Sequence, residues 1–229
     1  MKRYIFLLTW LASVSIGFAN PGSNAAQRSE TATDSVFFSV KSLCNIIVEF
    51  TSDKKVKAVL NGKTYSGVIS ANKDSKGFYD FNQNGKPLFT FMMEAGKLLI
   101  VNQRYQFACE AAKVIELARL EKDEQIIDAF DAYEGFQTQL WSNVTPINDK
   151  AFYLGELKYW NAAIHILDKV VSNNPERAVA WLNLGDSYWA INDKDKARKA
   201  YSTYISLMGN QKKQDKIPER VYSRSNIKK

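Results

Sequence analysis

The sequence predicts an α+β fold, a small antiparallel β-barrel of about eight strands followed by an all-α domain of helical hairpins. Three observations carry that reading. Residues 35–109 break into short β-branched and aromatic runs separated by turn dipeptides, beyond Cys109 the apolar period becomes helical, and the helical half repeats itself at an interval of 34 residues. With 45% hydrophobic and 13% aromatic residues in 229, the chain has enough apolar surface for one or two cores.

The first element is a leader. In MKRYIFLLTWLASVSIGFAN, Lys2 and Arg3 precede an apolar stretch from Tyr4 to Val14, and small residues stand at Gly17 and Ala19. This is the pattern of a secretory signal peptide over 1–19. An uncleaved anchor is the alternative, but Thr9, Ser13 and Ser15 thin the run below the roughly 20 residues that a membrane span needs. Residues 20–34 have no apolar period and read as a flexible leader of the exported chain. The expected location is therefore periplasmic or secreted, without stable membrane insertion.

The predicted barrel domain, 35–109, holds the runs SVFFSVK, CNIIVEFT, KVKAVL, KTYSGVI, GFYDFN, PLFTFMM, KLLIV and RYQFAC. Asn61-Gly62, Asn84-Gly85 and Ala95-Gly96 mark hairpin turns, where two successive positive φ angles suit Asn and Gly. A run of hairpins this short closes on itself to avoid exposed edges. Cys44 and Cys109 lie at the two ends of this region, and an exported protein makes a disulfide between them the expectation. Closing about sixty-five residues would stabilise by roughly 4 kcal/mol in the loop-entropy picture. Two unpaired buried thiols are the alternative.

The predicted helical domain is 110–229. CEAAKVIELARLEKDEQIIDAFDAYEGFQTQLW reads as a helix pair, with Val114, Leu117, Ala118 and Leu120 on one stripe and Ile126, Ile127, Phe130 and Tyr133 on another. Further on, Trp181, Leu184, Gly185 and Tyr188 share one helix face, Asn192-Asp193 makes a turn, and Ala197, Tyr201 and Tyr204 form the facing stripe. Gly185 and Ala197 let the two helices approach while the rings fill the space beside them. Thirty-four residues earlier stand Ala151, Leu154, Ala163 and Leu167 in the places of Gly185, Tyr188, Ala197 and Tyr201. Pro146 and Lys150 fall where this earlier unit needs its first helix, which predicts a shortened one. Since such units bury their apolar faces only against neighbours, 110–141 and the segment around Ile217 to Tyr222 are expected to cap the ends.

This pattern of small and large residues resembles the tetratricopeptide repeat, with two repeats covering residues 144–210. The resemblance implies protein binding on a concave surface. Asn183 and Ser187 on an inner helix are the candidate contacts, the alternative being that they simply face water. The order of the β half is cysteine, strand, VKAVLNGKTY, a Ser/Gly loop leading to a tyrosine, an aromatic strand, a glycine turn, an aliphatic strand and a closing cysteine. It is similar to the C-type lysozyme inhibitors of bacterial envelopes over 36–110. That resemblance implies an inhibitory loop at Ser75, Lys76, Gly77 and Tyr79, whose lysine meets the paired carboxylates of a muramidase. The second inhibitory turn departs from the family, with Glu94 where a basic residue is expected and Lys97 displaced past Gly96. The alternative reading of Ser75-Lys76-Gly77 is a plain hairpin tip.

Catalytic chemistry is sparse. The single histidine, His165, sits among Ile164, Ile166 and Leu167, and the chain has no CxxC, HExxH or glycine-rich phosphate loop. The expectation is a protein that is not an enzyme and has no cofactor. Its basic excess resides in the tail, since seven of the 31 basic residues and two of the 24 acidic ones lie beyond Asn210. Nucleic acid is therefore not the expected partner. An anionic envelope surface is one target for this tail and a solvated end the other reading. The functional expectation is a protein binder, either an inhibitor of, or immunity protein against, a lysozyme-like cell-wall hydrolase, or an envelope scaffold recruiting a partner through its repeats.

Overall fold

A computed structural model describes residues 35–51, 55–60, 62–103, 114–136 and 140–227. The leader residues 1–34, Cys109 and the run RYQFAC lie outside the described residues, so the signal peptide, the disulfide and that strand are not addressed by it. Eight strands form a closed, sequentially ordered antiparallel barrel, β1(Ser35–Phe38), β2(Ile46–Phe50), β3(Val56–Leu60), β4(Lys63–Ala71), β5(Tyr79–Gln83), β6(Lys86–Glu94), β7(Lys97–Gln103) and β8(Ile115–Arg119). Six α-helices follow, α1(Asp123–Phe136), α2(Thr145–Glu156), α3(Trp160–Asn173), α4(Ala178–Ala190), α5(Lys194–Asn210) and α6(Glu219–Ser225). The expected fold class is the one observed.

Turn chemistry sets the barrel register. Asn84 and Gly85 have φ of 50° and 74°, Ala95 and Gly96 of 48° and 75°, and each pair is the whole loop of a two-residue hairpin. Inward residues alternate along the strands, so Phe37, Ile46, Val48, Val56, Ala58 and Leu117 share a barrel core with Phe81, Phe89 and Phe91. Gly67 is required there because a Cβ on it would stand 2.1 Å from the Asn82 carbonyl oxygen, beside the bulge at Phe81/Asn82.

Two expectations are corrected. The barrel does not end near Cys109: its last strand is β8, and Val114 to Leu120 is not the first helix of a pair. The reason lies in competing periods, since Ile115 and Leu117 are buried inside the barrel while Glu116 points outward to an ion pair with Lys97 on β7, 3.0 Å away. Closure between β7 and β1 decides for the strand, and the stretch contributes one α-helix, α1, rather than two. The earlier unit's first helix is not shortened either: α2 has 12 residues against 13 for α4. Pro146 sits in the first turn of α2, where its missing N–H has no helical acceptor to lose.

The outer faces of β1 to β3 are covered in part, since Phe38, Ile47 and Val59 are buried while Lys57 stays exposed. Phe38, Ile47 and Val59 belong to a second core shared with the helices, continuous from the barrel wall to Tyr222 on α6. Strands buried on both faces follow from this: alternate residues of β2 serve the barrel and the helical core in turn. Polar contacts fix the seam. Lys150 of α2, only 2% exposed, donates to the carbonyls of Ser39 and Cys44, its ammonium lies 4.6 Å from the Phe38 ring centroid, and Asn45 Nδ2 donates to the Pro146 carbonyl at 3.1 Å.

The helices alternate between two layers, with α1, α3 and α5 on one side and α2, α4 and α6 on the other. Ala151, Leu154, Ala163, Leu167, Leu184, Gly185, Tyr188, Ala197 and Tyr201 are buried in the shared core. Trp181 packs at its edge and donates its indole N–H to the Pro175 carbonyl at 2.7 Å. The turns repeat with the helices: Lys158 and Asn192, 34 residues apart, have φ of 68° and 66° and close the same pair of backbone bonds at the ends of α2 and α4. The basic tail is solvated in part: residues 211–216 are exposed, whereas Ile217, Val221 and Tyr222 are buried and α6 packs on α5.

Residue Asp123 of α1 acts as a cap for another helix. Helix α3 has no cap of its own, and Asp123 Oδ1 accepts from the Ala162 amide at 2.8 Å, placing a carboxylate at the α3 N-terminus. Asp123→Ala is expected to lower stability by about 1 kcal/mol, measured by urea denaturation, with the loss reduced in high salt.

Candidate functional site

The inner layer encloses a cleft of about 490 Å³. Its floor and one wall come from α4, through Asn183, Asp186, Ser187 and Trp189. Helix α2 supplies Phe152, Gly155 and Glu156, the start of α3 supplies Trp160, and α6 closes the far side with Arg220 and Arg224. Gly155 is the residue that lets Trp160 fold over the cleft, since a Cβ there would stand 3.0 Å from the indole. Phe152 lines the cleft and is 45% exposed.

Asp186 organises the polar end. Its carboxylate accepts from Arg220 Nη2 at 2.8 Å, from Arg220 Nε at 3.3 Å, from Arg224 Nη1 at 2.8 Å and from the Tyr201 hydroxyl at 2.7 Å. Burial pushes the Tyr201 phenol well above its ordinary range, Asp186 adding to the effect and Arg224 opposing it. The bond to Asp186 raises the Arg220 guanidinium further. Trp189 is flanked by cations, with Lys194 Nζ 3.6 Å and Arg224 Cζ 5.1 Å from its ring centroid.

The two residues expected on the inner helix are both here, in different conditions. Asn183 reaches the cleft and donates to Asn148 Oδ1 at 3.3 Å. Ser187 lines the wall but is buried, and its hydroxyl donates to the Asn183 carbonyl at 2.8 Å, as serines inside helices commonly do. Sequence reasoning missed Phe152, Trp160, Asp186, Trp189, Arg220 and Arg224. One signal was present: a 34-residue step from Asp186 lands on Arg220, its ion-pair partner, just as a 34-residue step from Asp131 lands on His165.

The barrel candidates lie elsewhere. Ser75, Lys76 and Gly77, the last with φ 84°, are exposed at the tip of the β4–β5 loop. Tyr79 is half-buried and packs on Phe91 at 5.7 Å between centroids, which makes it part of the barrel rim. In a sequential barrel the β4–β5 and β6–β7 connections emerge at one end, and the β1–β2 and β3–β4 connections that meet α2 emerge at the other. The two loops suggested by the inhibitor resemblance therefore share an end, opposite the seam.

His165 bridges α1 and α3. Its Nε2 lies 2.7 Å from Asp131 Oδ1, and Lys169 Nζ approaches the same oxygen at 3.2 Å. Burial alone would raise the Asp131 pKa, but the bonds from His165 and Lys169 outweigh it and hold the carboxyl below its usual value. On the next seam Tyr188 donates to Asp168 at 3.1 Å, and burial together with that carboxylate pushes the Tyr188 phenol up to about 12. A tyrosine whose folded pKa is raised contributes stability that is complete below its unfolded value near 10 and disappears as pH climbs through 12. Stability is thus expected to fall between pH 10 and 12, and Tyr188→Phe should flatten that slope in denaturation curves measured across this range.

Among the described residues no group of three or more His, Cys, Asp or Glu side chains is placed to hold a metal ion, and no helix is long and apolar enough to cross a membrane. No protein-family model matches the chain, and no curated protein matches it.

Proposed function

We propose that this chain is a non-catalytic, exported protein-binding protein whose repeats, of the tetratricopeptide kind, hold a short segment of a partner in the cleft of α2, α4 and α6. The observation that carries this reading is the cleft itself, which three aromatic rings and a few convergent polar groups line from its different walls. The barrel is then a rigid mount, because the core it shares with α2 fixes the cleft's wall to it. A Cys44–Cys109 disulfide belongs to the same proposal: Cys44 is fully buried beside the seam, and its carbonyl accepts from Lys150. Mass spectrometry of the exported protein without reductant should find the two cysteines in one linked peptide.

A second reading rests on a different observation, the exposed Lys76 loop and the β6–β7 turn at the barrel's free end. Those hairpins would enter the catalytic cleft of a muramidase, as an inhibitor or an immunity protein does. One experiment separates the two: a partner identified from envelope extract is purified and titrated against wild type, Trp189→Ala and Lys76→Glu. Loss of binding with Trp189→Ala alone supports the helical cleft. Loss with Lys76→Glu alone, together with protection of a muramidase's substrate by the wild type, supports inhibition and overturns the cleft reading.

A further inference from the structure

We infer that the cleft selects an extended peptide that pairs an apolar side chain with an acidic one, the acid directed toward α6. This rests on the cleft reading above and adds the chemistry of the occupant. The argument begins with charge. On the α4–α6 side, Arg220 and Arg224 share one carboxylate, Asp186, and Lys194 at the start of α5 adds a further cation over the Trp189 ring. On the α2 side the rim carries Glu156, which is exposed. The field along the cleft therefore has a direction, and low-dielectric walls of aromatic rings strengthen it.

Asp186 does not exhaust its partners. A guanidinium has five N–H groups. The bonds to Asp186 use Arg220 Nε and Nη2, and those to Asp186 and Tyr201 use Arg224 Nη1. The remaining N–H groups, with no other acceptor among the described residues, are positioned beside the cleft for a carboxylate. Asp186 holds both guanidinium planes in place, so binding an acid there would cost little side-chain ordering. The apolar requirement comes from the other wall, where Phe152 and Trp160 offer rings rather than charges. The volume suits a few residues of extended chain and is too small for a folded element.

The test uses the full chain and three fluorescein-labelled decapeptides that alternate leucine with glutamate, with lysine or with serine, followed by fluorescence anisotropy. The glutamate peptide is expected to bind at least tenfold more tightly than the lysine peptide, and to weaken as salt rises. Lys194→Glu, beside Trp189, is expected to reduce that preference about tenfold with the helical circular dichroism retained, and Arg224→Gln to abolish it. Tighter binding of the lysine or serine peptide overturns the inference while leaving a peptide cleft standing. Preference for glutamate that survives both substitutions but is lost with Lys76→Glu places the site on the barrel and also overturns it. If no peptide binds, or a chitooligosaccharide binds in their place and its binding is lost with Trp189→Ala, both the inference and the cleft reading fail.

Discussion

Gly185→Ala is expected to destabilise the protein by about 3 kcal/mol, at the upper end of what overpacking a close-packed core costs. A methyl at this position would lie 2.6 Å from both Cδ1 and Cε1 of Tyr201, well inside van der Waals contact. Relief by moving the ring is blocked, because Tyr201 is fully buried and its hydroxyl is bonded to Asp186 and Arg224. The helices must then separate, and the α4–α5 pair is the most extensive contact between elements of the helical half. Gly135→Ala on α1 is the matched control, since nothing lies within 4 Å of a Cβ there. It should stabilise by about 0.5 kcal/mol through helix propensity. The earlier unit shows how the clash is avoided elsewhere: its equivalents of Gly185 and Tyr201 are Ala151 and Leu167, a methyl facing a leucine. Gly185→Ala combined with Tyr201→Leu should therefore cost less than the sum of the two single changes, measured by guanidinium denaturation as a coupling energy of about 1 kcal/mol or more.

The same pair illustrates what was legible in the sequence. A period of 34 with small residues facing large ones names packing partners directly, because a helix presents every third or fourth residue to its neighbour. Gly185, Ala197 and their equivalents were readable on those grounds, as were the hairpins at Asn84-Gly85 and Ala95-Gly96, where the backbone's positive φ dictates the residue. The strand β8 was not readable. Over five residues a period of two and a period of 3.6 fit IELAR about equally, and the choice belongs to barrel closure, a property of all eight strands. The cleft was half readable for a related reason. Asn183 and Ser187 follow from helix phase, whereas Asp186, Arg220 and Arg224 meet only when α6 docks as one more inner helix. Recognising that Arg220 stands 34 residues after Asp186 would have required treating the basic tail as structure rather than as charge.

Lys150 supplies the second large effect. It occupies the α2 position that the sequence marks as a defect in a first helix, and the structure shows why a lysine stands there. The ammonium is delivered through a buried seam to the carbonyls of Ser39 and Cys44, and it also lies over the Phe38 ring. Those carbonyls belong to the β1–β2 connection, where Ser39 Oγ also donates to the Cys44 carbonyl, the Ile46 amide donates to Ser39 Oγ at 3.0 Å, and Asn45 Nδ2 makes a neutral bond to the Pro146 carbonyl of α2 at 3.1 Å. Lys150 is therefore a direct charged tie between that turn and the helices. Lys150→Met keeps most of the apolar stem and removes the charged donor that the Ser39 and Cys44 carbonyls share in a buried site. Each hydrogen bond to a charged group contributes about 1.5–3 kcal/mol, so the expected loss in urea denaturation is roughly 3 kcal/mol. Lys57→Met, which breaks only the exposed pair with Glu49 at 3.4 Å, should cost less than about 1 kcal/mol. Because α2 carries Phe152 and Gly155 into the cleft from the same helix, Lys150→Met should also weaken binding of the glutamate peptide without touching a residue that lines it. A variant with full stability and unchanged affinity would show that the barrel and the cleft are independent of one another.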